Sequence, residues 1–160
     1  DVALRGIIKN NPDPGALVIW KIKIKKSVNY FVSAFAANDP QSTLDIYNKI
    51  SSLHPDLSKC IFLNTRSDRM YRTNQLINLV IKEIKPELFI IKGDNLPNNL
   101  ISEIKNNGIE LKIFDDKTSQ KSLINYFKTL DNHFIMGIGN IVGWGEEFIN
   151  NLKKYKTNDS

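Results

Sequence analysis

The sequence predicts an α/β fold of the Rossmann-like type, a mainly parallel sheet with helices on both faces, and three observations point to it. Apolar, strand-sized runs alternate with helix-periodic runs along nearly the whole chain, a pattern that implies βαβ crossovers and a sheet covered on both sides. Three polar or glycine-bearing stretches, FAANDPQST (35–43), NTRSDRMYRT (64–73) and GIGNIVGWG (137–145), each stand where a strand run gives way to a helix run. In a parallel sheet such junctions gather along one edge, which is where these folds bind ligands. The 160 residues, 41% hydrophobic and 24% charged, suffice for one sizeable core and suit neither a disordered chain nor two full domains.

Residues 1–11 read as the end of a helix, followed by the breaker Pro12-Asp13-Pro14-Gly15 and an extended segment at 16–25. The expected organisation is the tail of an upstream domain at 1–14, a linker or edge strand at 15–27, and the α/β domain at 28–160. In the edge segment Lys21, Lys23, Lys25 and Lys26 alternate with Ile22 and Ile24, so period two puts lysines on one face and isoleucines toward the core. That describes a solvated edge strand whose charges discourage edge-to-edge pairing. The sharper alternative, in a chain of net charge +5, is a patch for a polyanion. Nucleic acid is not the expected partner, because no recognition helix, paired aromatics or sustained arginine cluster accompanies the lysines.

Further strands are expected at 28–35, 59–63, 87–92, 110–114 and 133–138, with helices at 40–53, 70–84, 96–106 and 119–130 and a closing helix at 145–155. There is no internal repeat and no low-complexity tract. The longest apolar runs are strand-sized, far short of the roughly 18–20 residues a membrane span needs. The start, DVALRGIIKN, lacks the apolar core and cleavage site of a signal peptide and does not begin with Met, so the chain reads as a fragment. The single Cys60, inside KCIFL, cannot form an internal disulfide and is expected as a buried structural thiol in a reducing cytoplasm.

The first stretch carries Pro40 as an early helical residue with Asn38 or Asp39 as its cap. Capping alone accounts for that pattern, and the functional reading is that Asn38 and Asp39 present an amide and a carboxylate to a ligand, with Ser42 and Thr43 adding hydroxyls. The second stretch packs Arg66, Asp68, Arg69 and Arg72 into seven residues. Arginine grips carboxylate or phosphate through a planar fork, and a helix N-terminus favours an anion. The alternative is a surface ion-pair network, but one aspartate cannot neutralise three arginines. Arg66, nearest the strand end, is the first choice for an external anion, Arg69 the second, with Arg72 bracing the others. In the third stretch Gly137, Gly139 and Asn140 form a turn that allows close backbone approach and positive φ. Its G-x-G-x-x-x-G spacing after the last strand is not the dinucleotide fingerprint, which disfavours an oxidoreductase, and Trp144 is expected to pack rather than stack on a base.

Taken together, PDPG (12–15), FAANDPQST, NTRSDRMYRT and GIGNIVGWGEE (137–147) resemble, in order and spacing, the C-terminal part of the ATP-dependent ligase subunit of poly-γ-glutamate synthases, capsule-type relatives of the Mur ligases and folylpolyglutamate synthases. The resemblance implies a Mur-type C-terminal domain that closes over an upstream P-loop ligase domain holding ATP and Mg²⁺, so that residues 1–14 would be the tail of that central ATPase domain. It implies phosphorylation of a carboxylate to an acyl phosphate and attack by a glutamate amine, with glutamate and poly-γ-glutamate as substrate and product. It implies membrane subunits of a capsule synthase as partners, and a cytoplasmic place at the inner face of the membrane. By similarity, Asn38 and Asp39 would reach the nucleotide, while Arg66, Asp68, Arg69, Arg72, Gly137, Gly139 and Asn140 would line the amino-acid site. Two departures stand out: Ser33, Ala34 and Phe35 occupy the stretch where Mur ligases carry an acidic residue, and no G-x-x-x-x-G-K-[ST] occurs. This chain alone is therefore expected to be inactive. The rival reading is a non-catalytic Rossmann-like module that binds a nucleotide or an anion.

Overall fold

The alternation of apolar and helix-periodic runs becomes the fold directly. A computed structural model describes residues 17–37 and 39–157; the expectations for 1–16 and for Asn38 lie outside the described residues. Strand β1 (Val18–Ile24) turns back into β2 (Ser27–Ser33), and α1 (Pro40–Ser51), β3 (Ser58–Asn64), α2 (Met70–Leu79), β4 (Leu88–Lys92), α3 (Asn98–Asn106), β5 (Glu110–Phe114), α4 (Gln120–Phe127), β6 (His133–Gly139) and α5 (Trp144–Leu152) follow. The helix expected at 70–84 is in two pieces and is preceded by a third, short one. A 3₁₀ turn at Ser67–Arg69 leads into α2, and a π turn at Val80–Ile84 ends on Lys85, left-handed at φ 49°, whose N–H donates back to Val80 O at 2.8 Å.

The six strands form one sheet in the order β1-β2-β6-β3-β4-β5, parallel except for the β1–β2 hairpin. Because successive side chains of a strand point to opposite faces, the apolar runs feed two cores. On one face Ile61, Leu63, Phe89 and Ile91 pack with Tyr47 of α1, Leu76 and Ile77 of α2 and Ile104 of α3. On the other, Cys60, Phe62 and Ile90 pack with Phe127 of α4 and Phe148 of α5. Phe62 sits 5.3 Å from the Phe148 ring and 6.1 Å from Phe127. The Cys60 thiol is fully buried, and desolvation pushes its pKa well up, consistent with a structural role.

In β1, Trp20, Ile22 and Ile24 are buried while Ile19 and Lys23 are exposed, as period two requires. The strand's outer edge is partly occupied. Lys156 bridges Ile22, and Thr157 N donates to Lys21 O at 2.9 Å.

The position of β6 matters most for function. It is last in the chain yet lies between β2 and β3. The connection after β3 leaves through α2 on one face and that after β6 through α5 on the other, which opens a crevice between their carboxyl ends. That is the topological switch point of an open α/β sheet.

Candidate functional site

A cleft occupies that switch point. Leu63, Asn64, Gly139 and Asn140 form the strand-end wall, Arg66 and Arg69 the rim, and Arg72, Thr73 and Leu76 the α2 wall.

The strand-end wall is built by two asparagines and a glycine. Gly139 has φ +95°, and a Cβ there would run into the Asn64 carbonyl oxygen, so only glycine lets β6 turn this close to β3. Asn140 N then donates to Asn64 O at 2.8 Å, and Asn64 Nδ2 donates to Asn140 O at 2.7 Å. This two-way strap holds the third sequence stretch against the second.

The arginines differ in their surroundings. Arg66 Nε pairs with Asp68 at 2.7 Å, both side chains well exposed, which is the local ion-pair network raised as the alternative reading. Arg69 makes no side-chain ion pair among the described residues. Arg72 donates from Nη2 to Ala37 O at 2.8 Å, and its Nε is buried without a partner. Burial chiefly, and then the neighbouring Arg69 charge, press the Arg72 pKa below the ordinary arginine value, while Asp39 opposes them; an arginine so placed stays charged at neutral pH. The order of preference inferred from the sequence therefore changes. Arg66, the first choice there, is already paired, and Arg69 is the one left open.

Asp39 is the α1 cap, accepting from Ser42 N at 2.9 Å and Ser42 Oγ at 2.7 Å. Those bonds hold its carboxyl below the ordinary value. It does not line the cleft, but Arg72 ties the adjoining Ala37 carbonyl to α2, so all three sequence stretches meet here. Gly137 does not reach the cleft either. It lies inside β6 where a Cβ would stand 2.7 Å from the Phe35 ring and 2.9 Å from Phe31, so close packing accounts for it.

Three residues without a role in the sequence reading belong to this edge. Asn64 and Thr73 line the cleft and are buried, at 2% and 4% exposure. Lys92, at the end of β4, is also buried; its Nζ lies 3.5 Å from Asp116 Oδ1 and 4.7 Å from the centre of the Trp144 ring. Trp144 stacks on Phe148 at 5.3 Å and donates from Nε1 to Thr118 O at 2.8 Å, the packing role expected of it. A polar residue closing an apolar strand is the signal that could have drawn attention to Asn64 and Lys92. Chemically the cleft combines unneutralised guanidinium groups with a rigid backbone turn, an arrangement suited to a carboxylate-bearing ligand.

Residues 19–155 match the family model described as poly-gamma-glutamate synthase CapB C-terminal domain. The chain is 31% identical over 159 residues to PGA synthase CapB of Bacillus subtilis (strain 168), covering 98% of this chain and 40% of that protein. It is 30% identical over 153 residues to capsule biosynthesis protein CapB of Bacillus anthracis, covering 93% and 33%. The chain thus spans between a third and two fifths of the length of these relatives. Among solved structures, the murein peptide ligase Mpl of Psychrobacter arcticus 273-4 superposes with TM-score 0.55 at 12% identity over 88% of this chain and 30% of that one. MurF of Acinetobacter baumannii gives TM-score 0.52 at 13% identity over 94% and 33%. These two likenesses identify the fold as that of Mur ligase C-terminal domains.

Proposed function

The chain belongs to the poly-γ-glutamate synthase CapB C-terminal domain family, and from that membership we propose that it is the substrate-side domain of an ATP-dependent, ADP-forming ligase that polymerises glutamate into poly-γ-glutamate. The observation that carries the reading is the meeting of Arg69, Arg72, Gly139 and Asn140 in one cleft at the switch point. In the proposed reaction a carboxylate oxygen attacks the γ-phosphorus of ATP, ADP leaves, and the amine of a glutamate attacks the acyl phosphate, releasing phosphate and a proton and forming the amide.

The residues of this chain serve that reaction by binding and orientation. Arg69 and Arg72 hold glutamate carboxylates, and the Gly139-Asn140 turn sets the floor against which the substrate lies. Asp39, at the start of α1, faces the nucleotide when the two domains close. A terminal capping carboxylate keeps unused lone pairs for such a contact. No cluster of three His, Cys, Asp or Glu able to hold a metal ion occurs among the described residues, and the sequence carries no G-x-x-x-x-G-K-[ST] phosphate loop. The proposal therefore assigns ATP and Mg²⁺ to an upstream P-loop domain. Membrane subunits of a capsule synthase are the proposed partners. No helix among the described residues is long and apolar enough to cross a membrane.

The test is ADP release by a ligase carrying this domain behind an upstream P-loop domain. Release that depends on added glutamate is the expected result. ATP turnover indifferent to glutamate would remove the assignment.

A further inference from the structure

The two margins of the sheet are finished differently. At β1 the outer edge is partly covered by Lys156 and Thr157, whereas among the described residues no strand lies beyond β5. Glu110 N donates to Glu87 O at 3.0 Å and Phe114 O accepts from Gly93 N at 2.9 Å, so alternation along the strand turns the N–H and C=O of Leu111 and Ile113 outward, away from β4. An edge of this kind is ordinarily defended by a lysine. Here Lys112 folds back over the aromatic pair on the α4 face, its Nζ 5.5 Å from the centre of the Phe114 ring and 5.4 Å from that of Tyr126.

The opposite face of β5 is apolar at its end. Ile113 is 41% exposed and lies with Leu96 and Ile101 in the wall of an open hollow of about 460 Å³, whose polar lining includes Asp94 and Asp115. Asp94 accepts from Asp116 N at 3.1 Å and Asp115 from Thr118 Oγ1 at 2.9 Å, but neither carboxylate is in an ion pair among the described residues. The chain as a whole is basic, at net charge +5, so this acidic rim sets the sign of what fits here.

Outward main-chain groups, an apolar wall and an acidic rim together describe strand addition. We propose that the β5 edge docks an extended segment of another polypeptide, one with apolar residues at alternate positions flanked by lysine or arginine. The segment's main chain pairs with Leu111 and Ile113, its apolar side chains fill the hollow, and its cations meet Asp94 and Asp115. An anionic polymer is the wrong occupant, because its carboxylates would face these two. A second copy presenting its own β5 brings like charges rather than complementary ones. β4 stands between this edge and the cleft at β3 and β6, and the proposal does not depend on the ligase reading.

The test uses two capped peptides of alternating valine and threonine, one with two lysines at each end and the other with two glutamates there. Each is titrated into the 160-residue chain while backbone amide NMR signals and their exchange with solvent are followed. The lysine peptide should bind, more weakly as salt rises, and should slow exchange of the Leu111 and Ile113 amides about tenfold or more, the glutamate peptide leaving them unchanged. Asp94→Asn combined with Asp115→Asn keeps both hydrogen-bond acceptors and removes both charges, so it should weaken the lysine peptide about threefold to tenfold. Ile113→Pro removes one outward N–H and no bond to β4, and should abolish the protection. Equal binding of the two peptides overturns the proposal, as does binding of neither, or binding of the lysine peptide that leaves the Leu111 and Ile113 amides unprotected. Dimerisation that protects the same amides without peptide makes the edge an interface between copies and also overturns it. The wild-type comparison of the two peptides stands even where the proline variant fails to fold.

Discussion

Three arginines lie within seven residues, yet each meets a different local electrostatic condition. Arg66 is held by exposed Asp68 at 2.7 Å, and such pairs are worth at most about 1 kcal/mol. Arg66→Lys should therefore leave both stability and glutamate kinetics near wild type. Arg69 has no such partner, so Arg69→Lys keeps the charge but loses the planar fork. In the intact ligase it should raise the Michaelis constant for glutamate about tenfold, the loss of one charged hydrogen bond, with ATP affinity little changed. Steady-state kinetics with glutamate and ATP varied separately check this, and wild-type glutamate kinetics in both variants would reduce the cluster to a surface network. Asp39 offers a second residue-scale prediction. Its carboxyl pKa is lowered from 3.8 by the bonds from Ser42, so the cap's contribution is complete above the unfolded value and is lost as pH falls through the lower folded one. The stability of Asp39→Ala should then fall short of wild type at neutral pH and converge on it as pH falls through the lowered folded value, below 3.8. At neutral pH the same variant in the intact ligase should lose turnover about 10²-fold, as misplacement at a closing site can, with only a slight fall in melting temperature. A destabilised but fully active variant would leave Asp39 a cap and nothing more.

At the scale of elements, the two glycines of the last strand separate packing from site construction. Gly137 presses on the Phe31 and Phe35 rings, so Gly137→Ala overpacks a core at a cost of about 1–3 kcal/mol. Gly139 turns at φ +95° against the Asn64 carbonyl oxygen, backbone that cannot give way as a ring edge can, and Gly139→Ala should cost about 1–3 kcal/mol as well. Thermal unfolding should register both, at about 2–4 °C per kcal/mol for a chain of this size. Activity should tell them apart. Gly139→Ala disturbs the Asn64–Asn140 strap and should weaken glutamate binding, whereas Gly137→Ala should leave it unchanged. Equal loss of binding in both would mean that the strap is not what shapes the cleft.

For the molecule as a whole, the proposed ligase makes the cleft one wall of a larger site. Its cations line one side only, and the chain spans 40% or less of the relatives it matches. Phosphoryl transfer needs a phosphate cradle and a metal that this chain's sequence does not suggest. The isolated chain should therefore unfold cooperatively, with no measurable ATP hydrolysis and at best weak nucleotide binding. Calorimetry with Mg-ATP is the check, and tight binding would count against the division of labour proposed here.

By itself the sequence determined the fold class, the order of the elements and the three stretches at the ligand-bearing edge. These are legible because strand and helix periodicities are local properties and because parallel strands must all end on the same edge. The expected strand at 110–114 coincides with β5, and the expected start of α1 at Pro40 is also its observed one. Which polar groups remain open was decided only by tertiary structure. Asn64 meets Asn140 across 76 positions of sequence and Arg72 meets Ala37 across 35, and the first meeting depends on β6 entering between β2 and β3. No local pattern encodes that insertion, so neither the Asn64–Asn140 strap nor the packing of Gly137 against Phe31 and Phe35 can be read before the chain is folded. The Arg66–Asp68 pair, two residues apart, is a local contact, which is why the sequence could already offer it as an alternative.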